Sequence, residues 1–199
     1  MTNEKAEARP AAKPLVVGIG GTTRTASSTD RALRIALQAA EEAGARTFLF
    51  DGTFLSQLPH FGPENRDRNE QQRQFVEMVG KSDGVIVASP GYHGGVSGLV
   101  KNALDLLDDL REGDRCYLDG RAVGCIVTAA GWQASVSTLM ALRSIVHALR
   151  GWPTPLGATL NTTDVIFDAS GACTNAKVLD QLNSVGRQVV EFAQKHHRA

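Results

Sequence analysis

The segment GIGGTTRTASSTDRAL, residues 18–33, places the hydroxyls of Thr22, Thr23, Thr25, Ser27, Ser28 and Thr29, together with Arg24, between an apolar run and a helical pattern. A loop entering a helix offers unpaired backbone N–H groups and the positive end of the helix dipole, and so receives anions. Capping the helix would need one hydroxyl. The surplus, with Arg24, suits a ligand with many acceptor oxygens and about two negative charges, a terminal phosphate monoester. A cap alone and a phosphate cradle are the two readings of this segment. It lacks the Gly-Lys-Ser/Thr of a P-loop, since no lysine occurs between Lys13 and Lys81. A dinucleotide fingerprint starts at Gly18 and Gly20 but meets Thr23 where its third glycine is needed; Asp51 would be its ribose-binding acid.

A second chemical segment is ASPGYHGGVSGLVKNALDLL, residues 88–107. Pro90 holds Ser89 extended, and Gly91, Gly94, Gly95 and Gly98 let backbone approach a ligand and expose N–H groups. A flat ring with hydrogen-bonding edges fits such a loop, with Tyr92 and His93 beside it; the plainer reading is a turn with two half-exposed side chains.

Positioning these loops requires strands and helices. Five apolar runs, residues 15–20, 45–50, 84–89, 122–128 and 155–161, alternate with five helical patterns. The first helix is marked by Leu33, Leu37 and Ala40, the second by Phe75, Val76 and Val79, and the third by Leu99, Val100, Ala103, Leu104 and Leu107. Val136, Leu139, Met140, Leu142, Ile145, Val146 and Leu149 mark the fourth, and Val178, Leu182, Val185, Val189 and Phe192 the last. Continuously apolar runs are those of strands buried on both faces. The alternation predicts a doubly wound three-layer α/β sandwich with a parallel sheet, and ligands bind such sheets beyond the carboxyl ends of the strands. The loops after the first, third and fourth runs are therefore the candidate sites.

Taken together, these motifs resemble the NADPH-dependent FMN reductase family of flavodoxin-like proteins. The family's phosphate loop, G-S-x-R-x-x-S-x-N/T, corresponds to Gly21 through Arg24 and Ser27 to Thr29, with Thr22 for the usual serine and Thr29 for the usual asparagine. Its P-x-Y-x-x-x-x-x-G-x-x-K-x-x-L-D corresponds to Pro90, Tyr92, Gly98, Lys101, Leu104 and Asp105, and its Asp and Leu-Pro loop to Asp51, Leu58 and Pro59. The resemblance spans about residues 15 to 160 and implies a five-stranded parallel sheet of order 2-1-3-4-5. It also implies FMN, with its phosphate on Thr22, Arg24, Ser27, Ser28 and Thr29 and its ring on Pro90, Gly91, Tyr92, His93, Gly94 and Gly95. The implied ring-edge contacts extend to Gly131, the single glycine of the third loop, where relatives often carry a pair.

The activity implied is hydride transfer from NADPH or NADH to FMN, then to an acceptor or a partner flavin-dependent monooxygenase. A quinone, azo or metal-oxyanion reductase with tightly held FMN is the alternative. The cofactor performs the redox step, so no catalytic side chain and no metal is expected. His93 either gives a proton or lines the pocket; Trp132 covers the ring, joins a subunit contact or packs on the core. A homodimer or homotetramer is implied, with the third and fourth helices as candidate contacts.

Composition narrows the partners. The 21 acidic residues balance 21 Lys and Arg, which argues against nucleic acid, an anionic membrane and a charge-docked electron carrier. Arg66, Arg68 and Arg73 would meet an adenosine 2′-phosphate or form a solvated face. Residues 1–14 read as a mobile tail before one domain, 15–199, and Cys116, Cys125 and Cys173 suit a reducing cytoplasm without a disulfide framework.

Overall fold

The alternation of strands and helices carries through to the folded chain, which a computed structural model describes over residues 13–196. The greater part of the stretch read as a tail, residues 1–12, lies outside the described residues. In chain order the elements are β1 (Leu15–Gly20), α1 (Ser28–Glu42), β2 (Arg46–Phe50), α2 (Gly52–Leu55), α3 (Glu70–Lys81), β3 (Gly84–Tyr92), β4 (Gly95–Val96), α4 (Gly98–Asp105), β5 (Ala122–Ala129), α5 (Trp132–Ala148), β6 (Trp152–Pro153), β7 (Ala158–Asn161) and α6 (Ala176–His196). A 3₁₀ turn, Leu106–Leu110, completes the third helical pattern, so Leu107 lies beyond α4. The single turn of α2 has too few residues to show a period.

β3 and β5 are central, and β5 is buried along its whole length, as the continuous apolar run requires. The parallel lanes run β2-β1-β3-β5, and β6 and β7 both pair with β5 in the outermost lane. Lane for lane the order is the expected 2-1-3-4-5, but the sheet has seven strands rather than five. The fifth run, 155–161, supplies only β7, and the added β6 precedes it: Trp152 N and Thr154 N donate to the Arg121 and Val123 carbonyls at 2.9 and 3.0 Å, after which the carbonyls of Thr154 and Pro155 turn to the Arg143 guanidinium, each at 3.0 Å. The other addition is β4, which pairs antiparallel with the end of β3 through a two-residue hairpin.

Alternation along the strands divides the core. Val17, Ile19, Val85, Val87, Val123 and Val127 face α3, α4 and α5, packing on Phe75, Val79, Leu104 and Leu142. Val16, Ile86, Ala88 and Ile126 face α1 and α6, packing on Leu33, Ala36, Leu182, Val185 and Val189. β1, β3 and β5 thus contribute to both layers.

The amino ends of the strands are held by Arg121, which is fully buried. Its Nε donates to the Ser82 carbonyl at 2.9 Å, one terminal nitrogen donates to Tyr117 O at 3.0 Å, and the other donates to Gly80 O. Burial lowers its pKa to about 10, so it stays charged at neutral pH and its cost is offset by these carbonyls. The carboxyl ends carry the loops.

Candidate functional site

Beyond the carboxyl ends of β1, β3 and β5 lies a cavity of about 350 Å³. Its lining comes from three segments: residues 22–24 and 27–29, then Pro90, Gly91 and Tyr92, then Thr128, Ala129 and Ala130 with Thr162. This volume suits one small-molecule ligand.

The first segment reaches the cavity by a close crossing. Gly20 has φ 147°, and a Cβ there would lie 2.0 Å from the Ala88 carbonyl oxygen, so only glycine lets β1 turn over β3. Ser27 is the N-cap of α1, and its Oγ accepts from Asp30 N at 3.2 Å. The cap therefore consumes one hydroxyl, and Thr22 Oγ1 is occupied locally by Arg24 N at 3.2 Å. The amides of Ser28 and Thr29, the first two of the helix, have no acceptor among the described residues, and neither does the hydroxyl of Ser28. The Arg24 guanidinium is exposed and has no carboxylate partner among the described residues. Arg34, by contrast, is taken by Asp30 at 2.9 Å. Ala26 is held at φ 51°, a left-handed conformation that costs free energy in a non-glycine residue and is found at ligand sites. Open amides at a helix start plus an unpaired guanidinium fit a phosphate.

The second segment divides. Pro90, Gly91 and Tyr92 line the cavity, while His93 and Gly94, at φ 52° and 82°, form the tip of the hairpin between β3 and β4. Those two angles are of the type I′ turn, which suits the twist of the flanking strands. His93, Gly94 and Gly95 are not brought to the cavity wall. The buried Ser89 ties the hairpin down: its Oγ accepts from Ser97 N at 3.0 Å and donates to Pro90 O at 2.8 Å. Tyr92 stays 56% exposed at the rim, and a second exposed aromatic, Trp132, begins α5.

The third segment contains lining residues absent from the sequence-based site. Thr128 is buried, and its hydroxyl lies 2.6 Å from that of Thr29, which turns Thr29 toward the β5 end. A hydroxyl at the end of an otherwise apolar strand is the signal that marks Thr128; nothing local marks Ala130 or Thr162. Gly131 stands behind this wall, its N–H given to Asn161 Oδ1 at 2.8 Å.

Several other polar residues singled out in the sequence have structural partners. Asp51 caps α2, its Oδ1 accepting from Phe54 N at 2.9 Å. Arg68 is bidentate to Asp109 at 2.7 and 3.0 Å, which holds its guanidinium above the ordinary arginine pKa and removes it as a free phosphate ligand. Lys101 and Asp105 pair with each other on α4 at 2.7 Å. Among the described residues no group of His, Cys, Asp and Glu side chains forms a metal ligand set, and no helix is long and apolar enough to cross a membrane.

The sequence profile described as NADPH-dependent FMN reductase matches residues 14–163. The chain belongs to this family. An FMN-dependent NADPH-azoreductase from Staphylococcus aureus is 30% identical over 120 residues, which cover 59% of this chain and 60% of that enzyme. The match thus spans less than two thirds of that relative's length. Among solved structures, the flavoenzyme NAD(P)H:(acceptor) oxidoreductase FerB from Paracoccus denitrificans superposes with a TM-score of 0.75 at 20% identity, covering 92% of this chain and 98% of that one. A flavodoxin, WrbA-like protein from Agrobacterium tumefaciens superposes with a TM-score of 0.63 at 16% identity, covering 92% and 99%. These likenesses establish the flavodoxin-like fold. The two family motifs of the sequence flank the cavity, at the ends of β1 and β3.

Proposed function

We propose that the protein is an NAD(P)H-dependent FMN oxidoreductase whose flavin occupies the cavity at the ends of β1, β3 and β5. The observation that carries this reading is one of placement. An anion cradle of open amides, Ser28 and Arg24 sits at one end of a single cavity, and the backbone walls of Pro90 to Tyr92 and of Thr128 to Ala130 line the same space.

In this reading Arg24, the Ser28 and Thr29 amides and the nearby hydroxyls hold the phosphate. Pro90 and Gly91 bring backbone close to the ring, and Tyr92 packs at its rim. When bound, FMN supplies the hydride chemistry, accepting from a nicotinamide and passing the electrons to an acceptor. The protein's share is orientation: backbone walls that hold the reactants in place would lower the entropic part of the barrier. Tyr92, exposed and on the cavity lining, suits a flat acceptor at the rim.

Two fates of the cofactor separate two activities. Weakly retained reduced FMN would feed a partner monooxygenase; tightly retained FMN would serve as the prosthetic group of an azo or quinone reductase. The azoreductase relative favours the second. A homo-oligomer formed on α5 also belongs to this reading, because Trp132, Val136 and Met140, one helical turn apart in succession, are 56%, 51% and 62% exposed. The free cysteines Cys116, Cys125 and Cys173 suit a reducing cytoplasm.

The test is a titration of the purified protein with FMN followed by anaerobic addition of NADPH and of NADH. Uptake of FMN with bleaching of the visible flavin band is expected. Binding without bleaching would leave only an electron carrier, and no binding would end the proposal.

A further inference from the structure

Behind the third wall of the cavity sits one carboxamide with an unusual share of the local hydrogen bonding. Asn161, the last residue of β7, is 8% exposed. Its Oδ1 accepts from Gly131 N at 2.8 Å, from Thr163 Oγ1 at 2.9 Å and from Thr163 N at 3.2 Å. A second lacing runs the opposite way, since the Ala129 carbonyl accepts from Thr162 N at 2.9 Å and from Gly131 N at 3.1 Å.

The turn held in this way is not a conformation that the chain adopts freely. Gly131 has φ 114° and ψ 145°, yet nothing lies within 4 Å of where its Cβ would stand. Glycine is required there by backbone conformation and not by space. The turn delivers Ala130 to the cavity lining, and the Ala130 amide has no acceptor among the described residues. An open N–H on the wall next to a strained, externally fastened glycine is a donor whose direction depends on its fastening.

We infer that Asn161 is a positioning residue that aims the Ala130 N–H at the bound ring, and so sets the preference of the site for reduced over oxidised FMN. The inference rests on the proposed FMN reading. Two-electron reduction adds electron density to the polar edge of the ring, which makes that edge the better acceptor. A fixed N–H facing it therefore favours the reduced state more than the oxidised one. Losing the fastening lets the amide turn to water and removes that difference.

The test compares Asn161→Ala, Asn161→Asp and Thr163→Val with the wild-type chain. The readouts are FMN affinity in the oxidised and dithionite-reduced states, and hydrogen exchange of segment 129–131 in the FMN-free protein. Asn161→Ala should speed exchange and weaken reduced FMN about tenfold more than oxidised FMN, the scale of one hydrogen bond to a charged group. Asn161→Asp keeps the acceptor oxygen. It should hold exchange near wild type while its charge behind the wall shifts the ratio the same way, so a result survives if the alanine variant does not fold. Thr163→Val should lower the unfolding midpoint and leave the ratio alone. Faster exchange in Asn161→Ala with an unchanged ratio would overturn the inference alone. A wild-type chain that binds no FMN would overturn it together with the reading beneath it.

Discussion

The Thr29 and Thr128 hydroxyls lie 2.6 Å apart, joining the first turn of α1 to the end of β5 across 99 residues. Both side chains are buried, so removing either oxygen strands the other. Thr128→Val should cost about 1 to 3 kcal/mol of unfolding free energy, and the Thr29→Val/Thr128→Val pair less than the sum of the single variants. Denaturant unfolding of the four proteins measures the coupling. Strict additivity would mean that water already satisfies each hydroxyl.

Arg24 is the cation of the first loop that no carboxylate among the described residues neutralises. Arg24→Ala should weaken FMN by about tenfold or more, the range of a charge-assisted hydrogen bond, and leave riboflavin, which lacks the phosphate, almost unaffected. Calorimetry with both ligands reads the difference. Equal losses for the two would place Arg24 away from the phosphate.

Ser27 differs from its neighbours because it caps α1 as well as lining the cavity. Ser27→Ala should lower stability by about 1 kcal/mol in thermal unfolding, even without ligand. Ser28→Ala should leave stability unchanged and reduce FMN affinity. The pair thus separates the two readings that the hydroxyl-rich segment permits.

The Cys125 thiol lies inside β5, and burial pushes its pKa up to about 12. Iodoacetamide at neutral pH should modify Cys116 and Cys173 first and reach Cys125 only in denaturant, because the thiolate is the nucleophile. Peptide mass spectrometry follows the order. Early labelling of Cys125 would mean that β5 opens locally.

On α5 the exposed Trp132, Val136 and Met140 form a single apolar face. Val136→Glu should convert an oligomer to monomer on size exclusion with light scattering, with the fold intact by circular dichroism. A wild-type chain that is already monomeric would remove this face as a subunit contact.

What the sequence discloses here follows the physics of each feature. The central strands are legible because burial on both faces forces a continuous apolar run, and the first loop is legible because six hydroxyls crowd a helix start. The outermost lane reads as one strand, 155–161, because Trp152 and Pro153 are too short a stretch to show a strand period; only the folded chain shows the Trp152 and Thr154 amides giving to the Arg121 and Val123 carbonyls. His93, Gly94 and Gly95 look like a ligand loop because glycine spacing is the same for a hairpin turn and for a cradle. Thr162 and Asn161 carry no local signal, since their role comes from β7 lying beside β5.

Arg121 grips Gly80, Ser82 and Tyr117 through their main-chain oxygens alone. Because every amino acid supplies such an oxygen, that grip asks little of the identities of its neighbours. The scaffold can thus be anchored at one pole while the opposite pole is rewritten. Transplanting the rim segments of a relative onto this framework is an engineering route that the anchoring leaves open.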